Sequence, residues 1–231
     1  MLRFCFHEFG VSSASGDRLV EPFSTEFATQ GNLAIEGVSG AGKTLLARAI
    51  VNVLPPTLRL LGQPVQIYAI RQNETLALHA EDVIMIPQSP ASALPPAVQC
   101  GQLLERVLGW GPVTRNCAAW LPDSAMECLR LVQLDQQVLT TQASELSGGM
   151  AQRFALALAI ARGSQLIILD EPGAGLDGVA REEIRSLLIN LTNKGAKFIV
   201  ISHDKQILRS LTMSSLVVEA GRVTLAANHR T

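Results

Sequence analysis

Apolar residues along the chain follow two rhythms. From Phe4 to Phe27, short apolar alternations are broken by turn residues such as Ser15-Gly16-Asp17, which predicts antiparallel strands and hairpins. Further on, the apolar positions come as short continuous runs: Leu33-Ala34-Ile35, Val83-Ile84-Met85-Ile86, Leu166-Ile167-Ile168-Leu169 and Phe198-Ile199-Val200-Ile201. Such runs read as buried strands. Between them, apolar residues at helical spacing predict helices over Thr44 to Val53, over Met150 to Ala161 after Ser147-Gly148-Gly149, and over Arg181 to Leu191. Alternating strands and helices predict a mainly parallel, helix-covered sheet. The final pattern, Leu216-Val217-Val218 then Ala220-Gly221-Arg222 then Val223-Thr224-Leu225, reads as a terminal hairpin.

From Ser89 to about Glu145 the pattern changes. Prolines come first, then the amphipathic stretches Gln102 to Leu108 and Ser124 to Leu134 predict helices. We therefore read one domain over 1–231, with 1–88 and 146–231 as its core and 89–145 as an inserted helical subdomain; no internal repeat is visible. At 231 residues, 48% apolar and 17% charged, the chain can bury a real core. A formal net charge of -1 and the lack of a dense Lys/Arg block disfavour nucleic acid and anionic membrane surfaces as partners. The longest apolar run, around Phe154 to Ala161, falls far short of the roughly 20 residues a spanning helix needs. Met1 to Glu8 alternates like a strand and does not resemble a signal segment, so a cytosolic protein is expected. Cys5, Cys100, Cys117 and Cys128 lack metal-ligand spacing and are expected as reduced, mostly buried thiols. His7, His79 and His229 are assigned surface or packing roles.

Three motifs carry chemistry. Gly37-Val38-Ser39-Gly40-Ala41-Gly42-Lys43-Thr44 completes the pattern Gly-x-x-x-x-Gly-Lys-Thr between a strand and a helix, the context this anion-binding loop requires. Its backbone N–H groups and helix N-terminus suit the phosphates of ATP; Lys43 would bridge the outer phosphates and the Thr44 hydroxyl would bind Mg²⁺. Asp170-Glu171 ends an apolar strand, with Asp170 expected on Mg²⁺ and Glu171 polarising the attacking water. A carboxylate pair before proline is also an ordinary way to leave a sheet. His203 and Gln88 follow two further strands, and so are expected at the same edge, His203 on the last phosphate and Gln88 on Mg²⁺ or water; a structural His and an exposed loop Gln are the plain alternatives. The third motif, Leu146-Ser147-Gly148-Gly149-Met150-Ala151-Gln152-Arg153, opens a helix and lies too far downstream to share the first loop's phosphate easily. It is better suited to a phosphate held by another copy.

This order of motifs resembles the nucleotide-binding subunit of an ATP-binding cassette (ABC) protein, in which two subunits sandwich two ATP molecules. The resemblance covers nearly the whole chain. It implies an α/β P-loop NTPase of ABC type, with a mainly parallel sheet core, an N-terminal antiparallel β subdomain and the helical insertion. It also implies that Ser147, Gly148 and Gly149 meet the ATP of the opposite subunit, and that Asp177 of Gly175-Leu176-Asp177 contacts across the interface. Met150 and the segment Pro87 to Pro96 are similar to the peptide/nickel importer branch. That branch often carries a C-terminal extension, whereas the chain stops at Thr231, which leans towards nickel-type subunits. Adenine usually stacks on an N-terminal aromatic, but Val11 to Ser15 fall there, with Phe9 a near miss. Gly173-Ala174-Gly175 replaces the more usual small hydroxyl or Ala residues. The expectation is an importer's ATPase at the cytoplasmic face of the membrane, paired with itself or a related ATPase and served by two permeases and a solute-binding protein. Gln88 to Gln102 is the candidate docking surface, with a surface-exposed linker as the plain alternative. The alternatives are a soluble ABC ATPase of a non-transport complex and a nucleotide-sensing module without turnover.

Overall fold

The computed structural model describes residues 1–71, 74–111 and 121–227; Cys117 and His229 lie outside the described residues. The N-terminal alternation forms the hairpin it predicts, β1 (Leu2–Ser13) against β2 (Arg18–Thr29). Glu8, in the left-handed region at φ 49, bends β1. As a result, its first part pairs with β5 (Gln66–Arg71) and its last part with β4 (Leu58–Leu61), while β6 (Glu74–Leu78) extends the antiparallel sheet beyond β5.

The second sheet takes β3 (Asn32–Glu36), β7 (Val83–Ile86), β8 (Leu166–Asp170), β9 (Phe198–Ile201), β10 (Thr212–Glu219) and β11 (Arg222–Ala227) in the order β11-β10-β3-β9-β8-β7. Its strand pairs are parallel except for the terminal hairpin of β10 and β11. The helices are α1 (Lys43–Ile50), α2 (Cys100–Gly109), α3 (Ala125–Leu131), α4 (Gly148–Ala161), α5 (Gly178–Asn193) and α6 (Lys205–Leu211).

The continuous apolar runs follow from burial on both faces. Successive side chains on a strand point to opposite faces, and here they divide between two cores. Ala34, Ile167, Leu169, Phe198 and Val200 face the core built with α2 to α6. Leu33, Ile35, Leu166, Ile168, Ile199 and Ile201 face the core built with α1 and the antiparallel sheet. α1 is thus held between two sheets by Leu46, Ala47 and Ile50, with the phosphate-loop segment at its N-terminus.

On the other face, α2 and α3 pack on α4, and Leu104, Cys128, Leu129 and Phe154 belong to the same apolar cluster as the sheet residues. Burial pushes the thiols of Cys100 and Cys128 up to about 11, which keeps them protonated. Cys5 is half-buried; His7 and His79 are exposed. Among the described residues, no helix is long and apolar enough to cross a membrane.

Candidate functional site

β3, β9 and β8 are adjacent and parallel, so the loops leaving their carboxyl ends open on one edge of the sheet. After β3 the chain turns through Gly37, Gly40 and Gly42, all at positive φ (147, 80 and 104). Gly37 is needed twice over, because a Cβ there would also lie 2.2 Å from the Val218 carbonyl oxygen on β10. Gly40 has open space around it and is constrained by φ alone. α1 then begins at Lys43, whose buried side chain turns back so that Nζ donates to the carbonyls of Gly37 and Val38, both at 2.9 Å.

The next residue meets the end of β8. Thr44 Oγ1 lies 3.2 and 3.0 Å from the two carboxylate oxygens of Asp170 and donates to them. Burial holds the Asp170 carboxyl above its ordinary pKa, and the neighbouring Glu171 charge pushes the same way; the Thr44 bond and the charges of Arg48 and Lys43 act against this. Glu171 is in the left-handed region at φ 49, a conformation that costs a non-glycine residue about 1 kcal/mol or more. Its carbonyl accepts from the N–H groups of Gly173 and Ala174, which reverses the chain. Its Oε2 lies 2.9 Å from His203 Nδ1, and the His203 N–H and the Ser202 hydroxyl donate to the same oxygen at 3.4 Å. The imidazole, 78% exposed, covers a carboxylate only 16% exposed.

These groups wall one cavity of about 690 Å³: Gly37, Ser39, Gly40, Gly42, Lys43, Thr44, Gln88, Asp170, Glu171 and His203 line it, joined by Val38 and Leu45, which the motif reading did not single out. Ala41 does not line it. Its side chain is buried and its N–H closes the loop onto the Val38 carbonyl at 3.2 Å.

Ser147, Gly148, Gly149 and Asp177 lie apart from this cavity. Ser147 caps α4, accepting from the Met150 N–H at 3.3 Å, and Asp177 caps α5, accepting from the Ala180 N–H at 2.8 Å. The two caps are neighbours, since a Cβ on Gly148 or Gly149 would lie 3.5 or 3.9 Å from Leu176 Cδ2. Phe9 is no aromatic platform for a base: it is fully buried, edge-on to Phe6 and Phe23. The exposed turn near it is polar, with Ser13, Ser15 and Asp17 bonded to one another.

A sequence profile of the family described as ABC transporter matches residues 20–174. The chain belongs to the ABC transporter family. Relatives of this ABC chain include a probable peptide ABC transporter ATP-binding protein of Sinorhizobium fredii, 32% identical over 89% of this chain and 58% of that one. An oligopeptide transport ATP-binding protein of Mycobacterium tuberculosis is 32% identical over 84% of this chain and 33% of its own length. The chain therefore spans only part of each relative. Its fold is that of ABC cassettes: a dimeric bacterial ABC transporter cassette superposes with TM-score 0.74 at 20% identity over 100% of both chains. The same cassette, bound to ADP and Pi in a post-hydrolysis state, superposes with TM-score 0.73 at 20% identity, again over 100% of both. The donor set fits the family's nucleotide. An ammonium and a run of loop amides suit an anionic tail, and the hydroxyl and carboxylate of Thr44 and Asp170 are hard oxygens of the kind Mg²⁺ takes.

Proposed function

We propose that this ABC chain is the ATP-hydrolysing, energy-coupling subunit of an importer for peptide-type solutes. The observation that carries the reading is the gathering of Lys43, Thr44, Asp170, Glu171 and His203 around one cavity. Gly37, Ser39, Gly40 and Gly42 present backbone N–H groups to the phosphates, while Ala41, proposed with them, would have to give up the Val38 carbonyl to do the same, and Lys43 exchanges two loop carbonyls for the outer phosphate oxygens. Thr44, Asp170 and Gln88 would hold Mg²⁺, which supplies charge neutralisation to the phosphate oxygens. Glu171 accepts a proton from the attacking water, and His203 fixes the direction of its carboxylate. With Nδ1–H given to Glu171, His203 can donate to the last phosphate from Nε2 only as imidazolium, or after the ring turns.

Ser147, Gly148, Gly149 and Asp177 would serve the ATP of a second ATPase subunit, identical or related. Two permeases and an extracytoplasmic solute-binding protein complete the assembly at the cytoplasmic face of the membrane, with 89–145 as the helical unit that passes motion on. An apolar cavity of about 290 Å³ beside the Gln88 to Gln102 segment, lined by Pro87, Pro90, Leu94, Val107 and Trp110 among others, supports that segment as the permease dock. The names of the relatives favour peptides over nickel or metal chelates as the solute class.

Two measurements test this. In purified protein, Glu171→Gln is expected to lower ATP turnover by about 10² to 10⁴ while nucleotide binding is retained; unchanged turnover would leave a nucleotide-sensing module. Mild detergent extraction of the tagged chain from its native membranes is expected to bring down two polytopic permeases. Recovery with soluble enzymes alone would overturn the transport reading and leave the ATPase.

A further inference from the structure

Arg153 closes the Leu-Ser-Gly-Gly-x-x-x-Arg string, yet it lies outside the nucleotide cavity. It sits in the second turn of α4 with a side chain 14% exposed. Its guanidinium reaches in two directions. Nη1 donates at 3.1 Å to the carbonyl of Gln133, a left-handed residue (φ 57) just beyond the end of α3. Nη2 forms an ion pair with Glu183 in the second turn of α5. Nε is buried with no hydrogen-bond partner among the described residues.

The two helices joined in this way begin at the exposed caps Ser147 and Asp177, and Arg153 and Glu183 stand at the same depth below them. At the caps themselves, Leu176 Cδ2 would stand 3.5 and 3.9 Å from a Cβ on Gly148 and Gly149, and Ala180 Cβ 4.0 Å from the latter. Deeper down, α4 and α5 share one apolar cluster, but apolar packing is non-directional and does little to fix how far one helix slides along the other, whereas phosphate donors must hold their place to about 0.5 Å. A planar, two-armed cation on a mostly buried stem opposes that sliding.

We propose that Arg153 and Glu183 form a clamp that makes the Ser147-Gly148-Gly149 element and Asp177 one unit, as positioning residues for the surface presented to a second subunit's ATP. What that surface meets rests on the function proposed above; the clamp rests on the geometry of α4 and α5. Through Gln133 the same guanidinium also carries α3, so a shift of the helical segment reaches both caps together.

The test is hydrogen exchange by mass spectrometry on the full chain, comparing wild type, Glu183→Gln, Arg153→Met and the double variant in peptides spanning 146–156 and 176–186. Glu183→Gln is expected to raise exchange in the α4 peptide as well as in its own. The double variant is expected to go no further than the stronger single. Increases confined to the mutated helix, or an additive double, overturn the clamp. If Arg153→Met does not fold, Arg153→Lys, which keeps one arm, replaces it and should give an intermediate effect. In parallel, Arg153→Met and Glu183→Gln are each expected to lower kcat by about threefold to tenfold, with binding of a fluorescent ATP analogue to the single chain unchanged; equal losses of nucleotide affinity and Tm with kcat unchanged would overturn it. A wild type with no turnover would defeat the functional reading and leave the exchange result standing.

Discussion

Asp170 occupies the candidate site at a cost to folding. Its carboxyl holds a proton more tightly in the folded chain than in the unfolded one, because burial outweighs the help from Thr44, Lys43 and Arg48. The folded state therefore binds more protons, and this group's contribution to stability falls as pH rises from the ordinary value of 3.8 through the raised folded one. At neutral pH, above the ordinary value, the cost is present. Asp170→Asn keeps an acceptor for Thr44 and removes the charge, so its Tm at neutral pH is expected to exceed that of wild type, with the difference vanishing below pH 3.8. A variant melting at or below wild type at neutral pH would mean that the Thr44, Lys43 and Arg48 interactions win. Lys43, Thr44 and Asp170 were all legible in the sequence, since strand ends and glycine spacing fix them. The pairing of His203 with Glu171 was not, because it depends on the left-handed turn at Glu171 that aims the carboxylate sideways.

Among the elements, the buried strands of the parallel sheet could be read directly, since burial on both faces leaves unbroken apolar runs. β4, β5 and β6 escaped the same reading. They are half-exposed and carry polar residues such as Arg59, Gln66 and Glu74, and they become strands because β1 offers an edge to β4 and β5, and β5 in turn to β6. α6 was also missed: it is a single short helix whose start is set by the Asp204 side chain accepting from two N–H groups. Asp177 was read from its motif as an interface contact, and the structure adds a local task as cap of α5. The phosphate loop gives a sharp comparison between positions. Gly37→Ala sets a Cβ 2.2 Å from the Val218 carbonyl oxygen and is expected to cost about 3 kcal/mol. Gly40→Ala meets only the φ penalty and is expected to cost about 1 kcal/mol. Denaturant midpoints of the two variants check the order, and equal losses would refute the close approach to β10.

At the scale of the whole molecule, α2, α3 and α4 share one apolar cluster with a face of the parallel sheet. The helical segment and the sheet are therefore expected to unfold together, as a single calorimetric transition with matching calorimetric and van't Hoff enthalpies; two resolved peaks would show separate cooperative units. The edge of this cluster carries one more feature. Trp110 is 64% exposed, its ring faces Arg162 with the guanidinium carbon 5.7 Å from its centroid, and both residues line the apolar cavity proposed as the permease dock. An indole in water emits at longer wavelength than one in apolar contact, so the chain carries its own optical probe. In a Trp120→Phe background, adding permease in detergent should shift Trp110 emission to the blue, and a spectrum that stays put would place the dock elsewhere.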